Sequence, residues 1–185
     1  VVTLGQIQRV EEARAGDREA FDLLAAAVID RLYSVARLVL RDTDRAEDAV
    51  QETLVRCWRD LPSLRDAARF DAWIHRLLMH AITDEFRRAG RQRAMVTLLR
   101  SEPATVDPSA DVARREQLTR GFERLTPDHR AVIVLRLYLG LSLDETAAAI
   151  GIPVGTAKSR LHYATEAMRV ALEADARPTA REVSA

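Results

Sequence analysis

Residues 141–172, LSLDETAAAIGIPVGTAKSRLHYATEAMRVAL, constrain the fold of this chain more than any other stretch, because they spell two capped helices joined by a tight turn. Ser142 precedes Glu145 by three positions, a spacing at which each side chain can bond the other's backbone N–H and open a helix. Gly151 follows the last apolar position and can take the left-handed conformation that ends a helix. Pro153, two residues on, supplies a dihedral suited to the first turn of the next. Along that second helix Val154, Ala157, Leu161, Ala164, Met168 and Leu172 recur at helical spacing and make an apolar stripe to be buried. The other face carries Thr156, Lys158, Ser159, Arg160, His162 and Tyr163. Side chains of these types bond phosphate oxygens and base edges when a helix lies in the major groove. A helical hairpin with a merely solvated polar face has the same spacing, so the pattern by itself leaves both readings open.

The rest of the chain is equally helical in character. Alanine, leucine and arginine dominate its 185 residues, while its 7 glycines and 6 prolines gather at breaks. Gly16 and Asp17 open a long helix with Phe21, Leu24, Val28, Leu32, Val35 and Val39 on one face. Asp44, with Glu47 three residues later, is expected to start a second helix carrying Ala46, Val50, Leu54, Cys57, Trp58 and Leu61 and stopping at Pro62. A loop, residues 63–69, leads to a third helix from about Phe70 to Arg88, which ends among Arg87, Arg88, Arg91 and Arg93. Trp58 and Trp73 lie on apolar stripes and are expected in the core.

A two-proline segment without a helical stripe then separates two helical units. The expected fold class is therefore all-α: two small helical domains joined by a flexible linker, the C-terminal one containing the helix-turn-helix. The boundaries fall at residues 1–98 for the first domain, 99–111 for the linker and 112–175 for the second domain, with a frayed tail over 176–185. The second domain begins with a helix from about Val112 to Leu125. Thr126 then caps another that starts at Pro127, runs through the apolar stretch Ala131 to Leu139 and closes at Gly140.

Charge sets a limit on how such a chain can use DNA. Its 28 basic and 28 acidic residues cancel, with 14 basic against 16 acidic up to residue 88 and 11 against 9 from residue 114. Phosphate neutralisation supplies most non-specific DNA affinity, so a neutral chain is expected to bind duplex weakly and to need a partner that holds it there. No apolar run has the length of a membrane span and no targeting segment opens the sequence, which points to the cytoplasm. One cysteine, Cys57, excludes an intrachain disulfide and a cysteine zinc cluster. An enzyme built on His75, His80, His129 or His162 finds no support. No histidine–glutamate metal motif, glycine-rich phosphate loop or nucleophile elbow is present, so neither catalytic residue, metal nor cofactor is expected.

Three stretches together resemble a known family: DRAEDAVQETLVRCWRDL from Asp44 to Leu61, FDAWIHRLLMHAITDEFRR from Phe70 to Arg88, and LTPDHRAVIVLRLYLGLSLDETAAAIGIPVGTAKSRLHYA from Leu125 to Ala164. In this order, split by a proline-containing linker, they resemble the extracytoplasmic-function sigma factors of the sigma-seventy family of bacterial RNA polymerase subunits. The resemblance implies that the chain binds core polymerase, directs it to promoters through minus-thirty-five and minus-ten elements, and helps open the duplex. It implies docking on the clamp helices of the largest subunit through Asp48, Gln51, Glu52 and Arg56, and contact with the flap of the second-largest. Minus-ten recognition and melting would fall to Ser63, Leu64, Arg65, Asp66, Phe70, Trp73, Arg76, His80, Arg87 and Arg88, the loop capturing an unstacked base. Thr156, Lys158, Ser159, Arg160, His162 and Tyr163 would read the minus-thirty-five element, with Thr156 and Arg160 on phosphates. Gly155 would let the helix start approach the DNA backbone. An anti-sigma factor is implied as a further partner. His80 stands where the family often has asparagine and Tyr163 where it often has arginine, which changes the donor and acceptor pattern offered to bases. The rival reading is a stand-alone helix-turn-helix regulator, which would bind specific duplex without polymerase.

Overall fold

The computed structural model describes residues 4–95 and 118–176, with side chains through Ala89 in the first segment and from Leu118 through Glu173 in the second. Among the described residues the structure is helical throughout, with no strand. The expected linker over 99–111 and most of the expected tail lie outside them. An unanticipated helix, α1 (Leu4–Arg14), comes first and buries only Val10 and Ala13. α2 (Arg18–Leu40) opens as expected: Asp17 is extended and its carboxylate accepts from the Ala20 N–H. Its stripe of Leu24, Val28, Leu32, Val35, Ala36 and Val39 is fully buried, and each such aliphatic side chain contributes roughly 1.5–3 kcal/mol.

α3 (Thr43–Asp60) starts one cap earlier than Asp44. Asp42 is extended and its carboxylate accepts from the Arg45 N–H at 3.1 Å. The reason lies one residue back: Arg41 ends α2 in the left-handed conformation, φ 57, so the chain reverses at once and Asp42 is first in position to cap. α3 then passes through a 3-10 turn, Leu61–Ser63, with Pro62 near its start, and a second 3-10 turn, Ala67–Arg69, leads into α4 (Phe70–Met95), longer than its apolar pattern suggests.

The second group of helices begins with helical residues 118–123 (α5). Thr126 caps α6 (Pro127–Ile133) as expected, its hydroxyl accepting from the His129 N–H. The helix expected to run on to Leu139 changes character: Val134–Tyr138 is a π turn, closed by the Leu139 N–H on the Val134 carbonyl at 3.0 Å. Gly140 takes φ 72 beyond it. The turn leaves Leu137 and Tyr138 exposed.

α7 (Leu143–Ile150) and α8 (Val154–Ala176) form the helix-turn-helix. The Ser142–Glu145 capping box is present in both directions and Gly151 sits at φ 75. On α8 Ala157 and Ala164 are buried and Leu161, Met168 and Leu172 half-buried, whereas Val154 is exposed because it precedes the packed part of the helix. The two groups are not separate in space. α7 packs along α4 and α6 packs on α2, and Ala131, Val134, Leu135 and Ala149 belong to the same continuous core as the buried residues of α1–α4. No described helix is long and apolar enough to cross a membrane.

Candidate nucleic-acid and partner interfaces

The recognition face of α8 forms because the capping box and Gly151 fix the entry angle of the helix while its alanines seat it closely on the rest of the domain. Lys158, Ser159, His162 and Tyr163 are exposed on this face, with the His162 and Tyr163 rings 5.5 Å apart. Thr156 is half-buried, and its carbonyl accepts from the Ser159 hydroxyl at 3.0 Å. Arg160 departs from its expected place on a phosphate: it turns back to Asp128 of α6 at 2.8 Å, tying α8 to the preceding helix. The Glu145 side-chain carboxylate of the capping box is stabilised too. The Ser142 N–H holds the Glu145 carboxyl below the usual carboxylate range, and Arg69 from the other helical group adds to the effect.

Between α3 and α4 the loop carries the residues implied for the minus-ten element, and the structure divides them into two sets. Ser63, Arg65 and Asp66 are exposed, as are Arg76, His80, Arg87 and Arg88 along α4. Leu64, Phe70 and Trp73 are buried. These three apolar side chains support the loop from beneath rather than present a face to a base, with the Phe70 and Trp73 rings 6.1 Å apart. Asp66 is spent on the backbone as well, its carboxylate accepting from the Ala68 N–H at 3.0 Å. The exposed set gathers positive charge, and partial burial of the His80 ring, followed by the charges of Arg76 and Arg56, holds its imidazole pKa below the usual histidine value. Arg87 and Arg88 point to Asp84 and Glu85 at 3.3 and 2.7 Å. His75, in contrast, is a core residue, its Nδ1–H donating to the Asp71 carbonyl at 2.6 Å.

The polymerase-docking set lies along one face of α3. Asp48 and Gln51 are exposed and Glu52 and Arg56 half-buried. Arg56 is the organiser, reaching Glu52 at 2.8 Å and Asp84 of α4 at 2.9 Å. The Asp84 hydrogen bond leads the effects that raise the Arg56 pKa, and the same bond lowers that of Asp84. Two residues of this helix escaped the sequence reading. Val55, 62% exposed, stands on the outer face of α3 with Asp48, Gln51, Glu52 and Arg59, one turn before the exposed Trp58. Its position at helical spacing from Gln51 and Glu52 was the available signal. Trp58, expected in the core, is 41% exposed and packs edge-on against Phe21 of α2, ring centroids 4.8 Å apart. The core line of α3 runs through Ala46, Val50, Thr53 and Cys57, and Trp58 lies a step of about 100° off it.

Comparison with known proteins places these surfaces in a family. Residues 24–92 match the model of Sigma-70 region 2, and residues 115–168 match that of Sigma-70, region 4. The ECF RNA polymerase sigma factor SigL of Mycobacterium tuberculosis is 37% identical over 150 residues, covering 77% of this chain and 82% of its own. The RNA polymerase sigma-E factor of Streptomyces avermitilis is 35% identical over 157 residues, covering 83% of this chain and 87% of its own. Among solved structures, CnrH in complex with the cytosolic domain of CnrY aligns at a TM-score of 0.64 and 28% identity, covering 92% of this chain and 98% of that one. The sigma factor RpoE in complex with the anti-sigma factor NepR, from Bartonella quintana, aligns at 0.65 and 26% identity, covering 84% and 98%. With region 2 spanning α2–α4, region 4 spanning the helix-turn-helix, and relatives that match along most of their length, the chain belongs to the extracytoplasmic-function sigma factors of the sigma-70 family.

Proposed function

We propose that the chain acts as a promoter-specificity subunit: it binds core RNA polymerase, reads a minus-thirty-five and a minus-ten element, and helps open the DNA. The observation that carries this reading is the exposed face of α8, where Lys158, Ser159, His162 and Tyr163 stand clear of the core behind a rigid cap and turn. Lys158, Ser159, His162 and Tyr163 read bases of the minus-thirty-five element and Thr156 meets a phosphate. Arg160 joins them on DNA only by leaving Asp128.

The minus-ten element is taken by Ser63, Arg65, Asp66, Arg76, His80, Arg87 and Arg88, with Leu64, Phe70 and Trp73 holding the loop in shape. The lowered pKa of His80 favours its neutral form, which offers one donor and one acceptor, a pairing suited to a base edge. Asp48, Gln51, Glu52 and Arg56, together with Val55, dock on the clamp helices of the largest subunit, an exposed apolar residue within a polar rim being a common feature of a protein contact. The flap of the second-largest subunit meets the helix-turn-helix domain. The domains run over residues 1–98 and 112–175 with the linker 99–111 between them. No step of this role makes or breaks a covalent bond on this chain, so no catalytic residue is called for. Because RpoE is solved with an anti-sigma factor, a protein inhibitor of the same kind is proposed for this chain too, acting with it in the cytoplasm.

Run-off transcription on fragmented genomic DNA with core polymerase, with and without the protein, tests the proposal. Start sites that depend on the protein and share two spaced upstream elements are expected. No dependent starts and no binding to core polymerase would overturn it, and specific duplex binding without polymerase would then favour a stand-alone regulator.

A further inference from the structure

Among its described side chains α8 carries Lys158, Arg160 and Arg169 as cations, and the structure treats them unequally. Arg169, beyond the recognition residues, is held by Glu166 and Glu173 of its own helix. Arg160 lies among the recognition residues, one turn after Thr156 on the same edge of α8, and is held from another helix by Asp128 of α6 at 2.8 Å. Lys158 is in no ion pair among the described residues. Asp128 owes its place to the start of α6. Thr126 caps that helix, Pro127 fixes its first helical dihedral, and α6 packs along α8, so the next carboxylate is set beside the recognition face before any DNA arrives. Its side chain is 62% exposed and that of Arg160 only 28%.

We propose that Asp128 restrains the chain's general affinity for DNA: by holding Arg160 it withholds one sequence-independent phosphate contact from the recognition helix, and the chain dwells less on unmatched duplex. The inference rests on α8 facing DNA, as proposed above. A duplex seated on α8 brings a phosphate to the edge that holds Thr156 and Arg160, and carboxylate and phosphate then compete for one guanidinium fork. Either result costs the complex. If Arg160 stays on Asp128, it releases no counterion from the DNA; if it moves, the ion pair is lost and Asp128 is left as an unpaired anion beside the phosphates.

The restraint acts on every sequence alike, because a phosphate contact carries no base information. Base reading is left to Lys158, Ser159, His162 and Tyr163, which the pair does not engage. The same economy of positive charge runs through the whole chain, whose 28 basic residues are matched by 28 acidic ones. Low charge keeps attraction to arbitrary duplex small and leaves residence on DNA to contacts that discriminate. Asp128 is thus a positioning residue: it acts on DNA through Arg160, and its removal should strengthen binding rather than weaken it.

The test is Asp128→Asn in the full chain, a change of charge without a change of shape at an exposed site whose helix is capped by Thr126 instead. Fluorescence anisotropy follows binding to a scrambled duplex of about 30 base pairs, without polymerase, over roughly 0.05–0.3 M salt. Asp128→Asn should tighten binding about two- to five-fold, the worth of one exposed ion pair, and steepen the log–log salt dependence by up to about 0.9, the value of one phosphate contact. In a chain already carrying Arg160→Ala, the gain from Asp128→Asn should largely vanish. With core polymerase added, the gain should be equal on matched and scrambled minus-thirty-five DNA. No gain overturns the proposal. So does a gain undiminished by Arg160→Ala, which would be an effect of net charge alone, and so does a gain confined to matched DNA, which would make Arg160 a base reader. The anisotropy needs neither polymerase nor promoter. A chain that shows the gain but directs no start sites keeps the role of Asp128 and loses the promoter-reading function; start sites without the gain remove Asp128 alone.

Discussion

Gly151 and Gly155 lie four residues apart on either side of the start of α8, and replacing each by alanine should move stability in opposite directions. At both positions the space a Cβ would enter is empty to 4 Å, so neither change is decided by crowding. Gly151 is at φ 75, ψ 37. An L-residue held there loses about 1–2 kcal/mol, and the reduced freedom of the unfolded chain returns roughly 0.4–1 kcal/mol. The net expectation is a loss of about 1 kcal/mol. Gly155 is in the first turn of α8 with no positive φ. There alanine's better helix propensity should add about 0.5–1 kcal/mol. With an m-value of about 2 kcal/mol/M, urea midpoints followed by circular dichroism should fall by about 0.5 M for Gly151→Ala and rise by up to about 0.5 M for Gly155→Ala. If Gly155 approaches the DNA backbone, the more stable Gly155→Ala protein should also give less promoter-specific transcript. A midpoint raised by Gly151→Ala, or lowered by Gly155→Ala, would refute the assignment of backbone conformation as the governing effect.

Lys158→Ala should weaken binding of holoenzyme to a matched promoter by about 1–3 kcal/mol. In a gel-shift titration, equal losses on matched and scrambled minus-thirty-five DNA would remove its base-reading role. Asp84 has its pKa lowered by the hydrogen bond from Arg56, so the pair's contribution to stability is present above the unfolded carboxylate value near 4 and is lost as pH falls through the lower folded value. The stability difference between the unaltered chain and Arg56→Ala, followed by urea denaturation, should therefore shrink below about pH 4, and a gap that widens in acid would contradict this coupling. The buried Cys57 thiol is pushed up to about 12, chiefly by burial. Iodoacetamide at pH 8 should leave it unmodified until urea unfolds the chain, as read by mass spectrometry; rapid labelling of the folded protein would argue against its burial.

What could be read directly from the residues was local. The Ser142–Glu145 box, the left-handed Gly151 and the Thr126–Pro127 start all appear as read, because each depends on neighbours within four positions. Ambiguity entered where several residues could do the same task. Asp42, Thr43 and Asp44 are all competent caps, and only the reversal at Arg41 selects Asp42. α1 escaped notice because it buries two small side chains and so leaves little apolar rhythm. The π turn hid inside a run that is apolar at every position but Arg136, where periodicity can barely register an extra residue. At the sites, pattern identified which helix faces matter but not which side chains are already engaged. Asp128 claims Arg160, Phe70 is buried beneath its loop, and Val55 stands exposed on the outer side of α3. Packing of α7 on α4 joins residues some seventy positions apart, and nothing in either segment encodes the other.

The turn at Val134–Tyr138 also makes this domain sensitive to a kind of change that substitution does not sample. A π turn is an α-helix with one residue inserted, and everything after it is rotated by about 100° relative to the uninterrupted helix. Deleting one residue there would wind the helix back into ordinary register. Leu137 or Tyr138 would swing from solvent toward the core, and the bond from Arg136 to the Leu141 carbonyl that steadies the approach to Ser142 would lose its geometry. The heading of the helix-turn-helix is thus set by chain length as well as side-chain chemistry, and one codon gained or lost in this short stretch would re-aim the recognition helix without altering a residue on it.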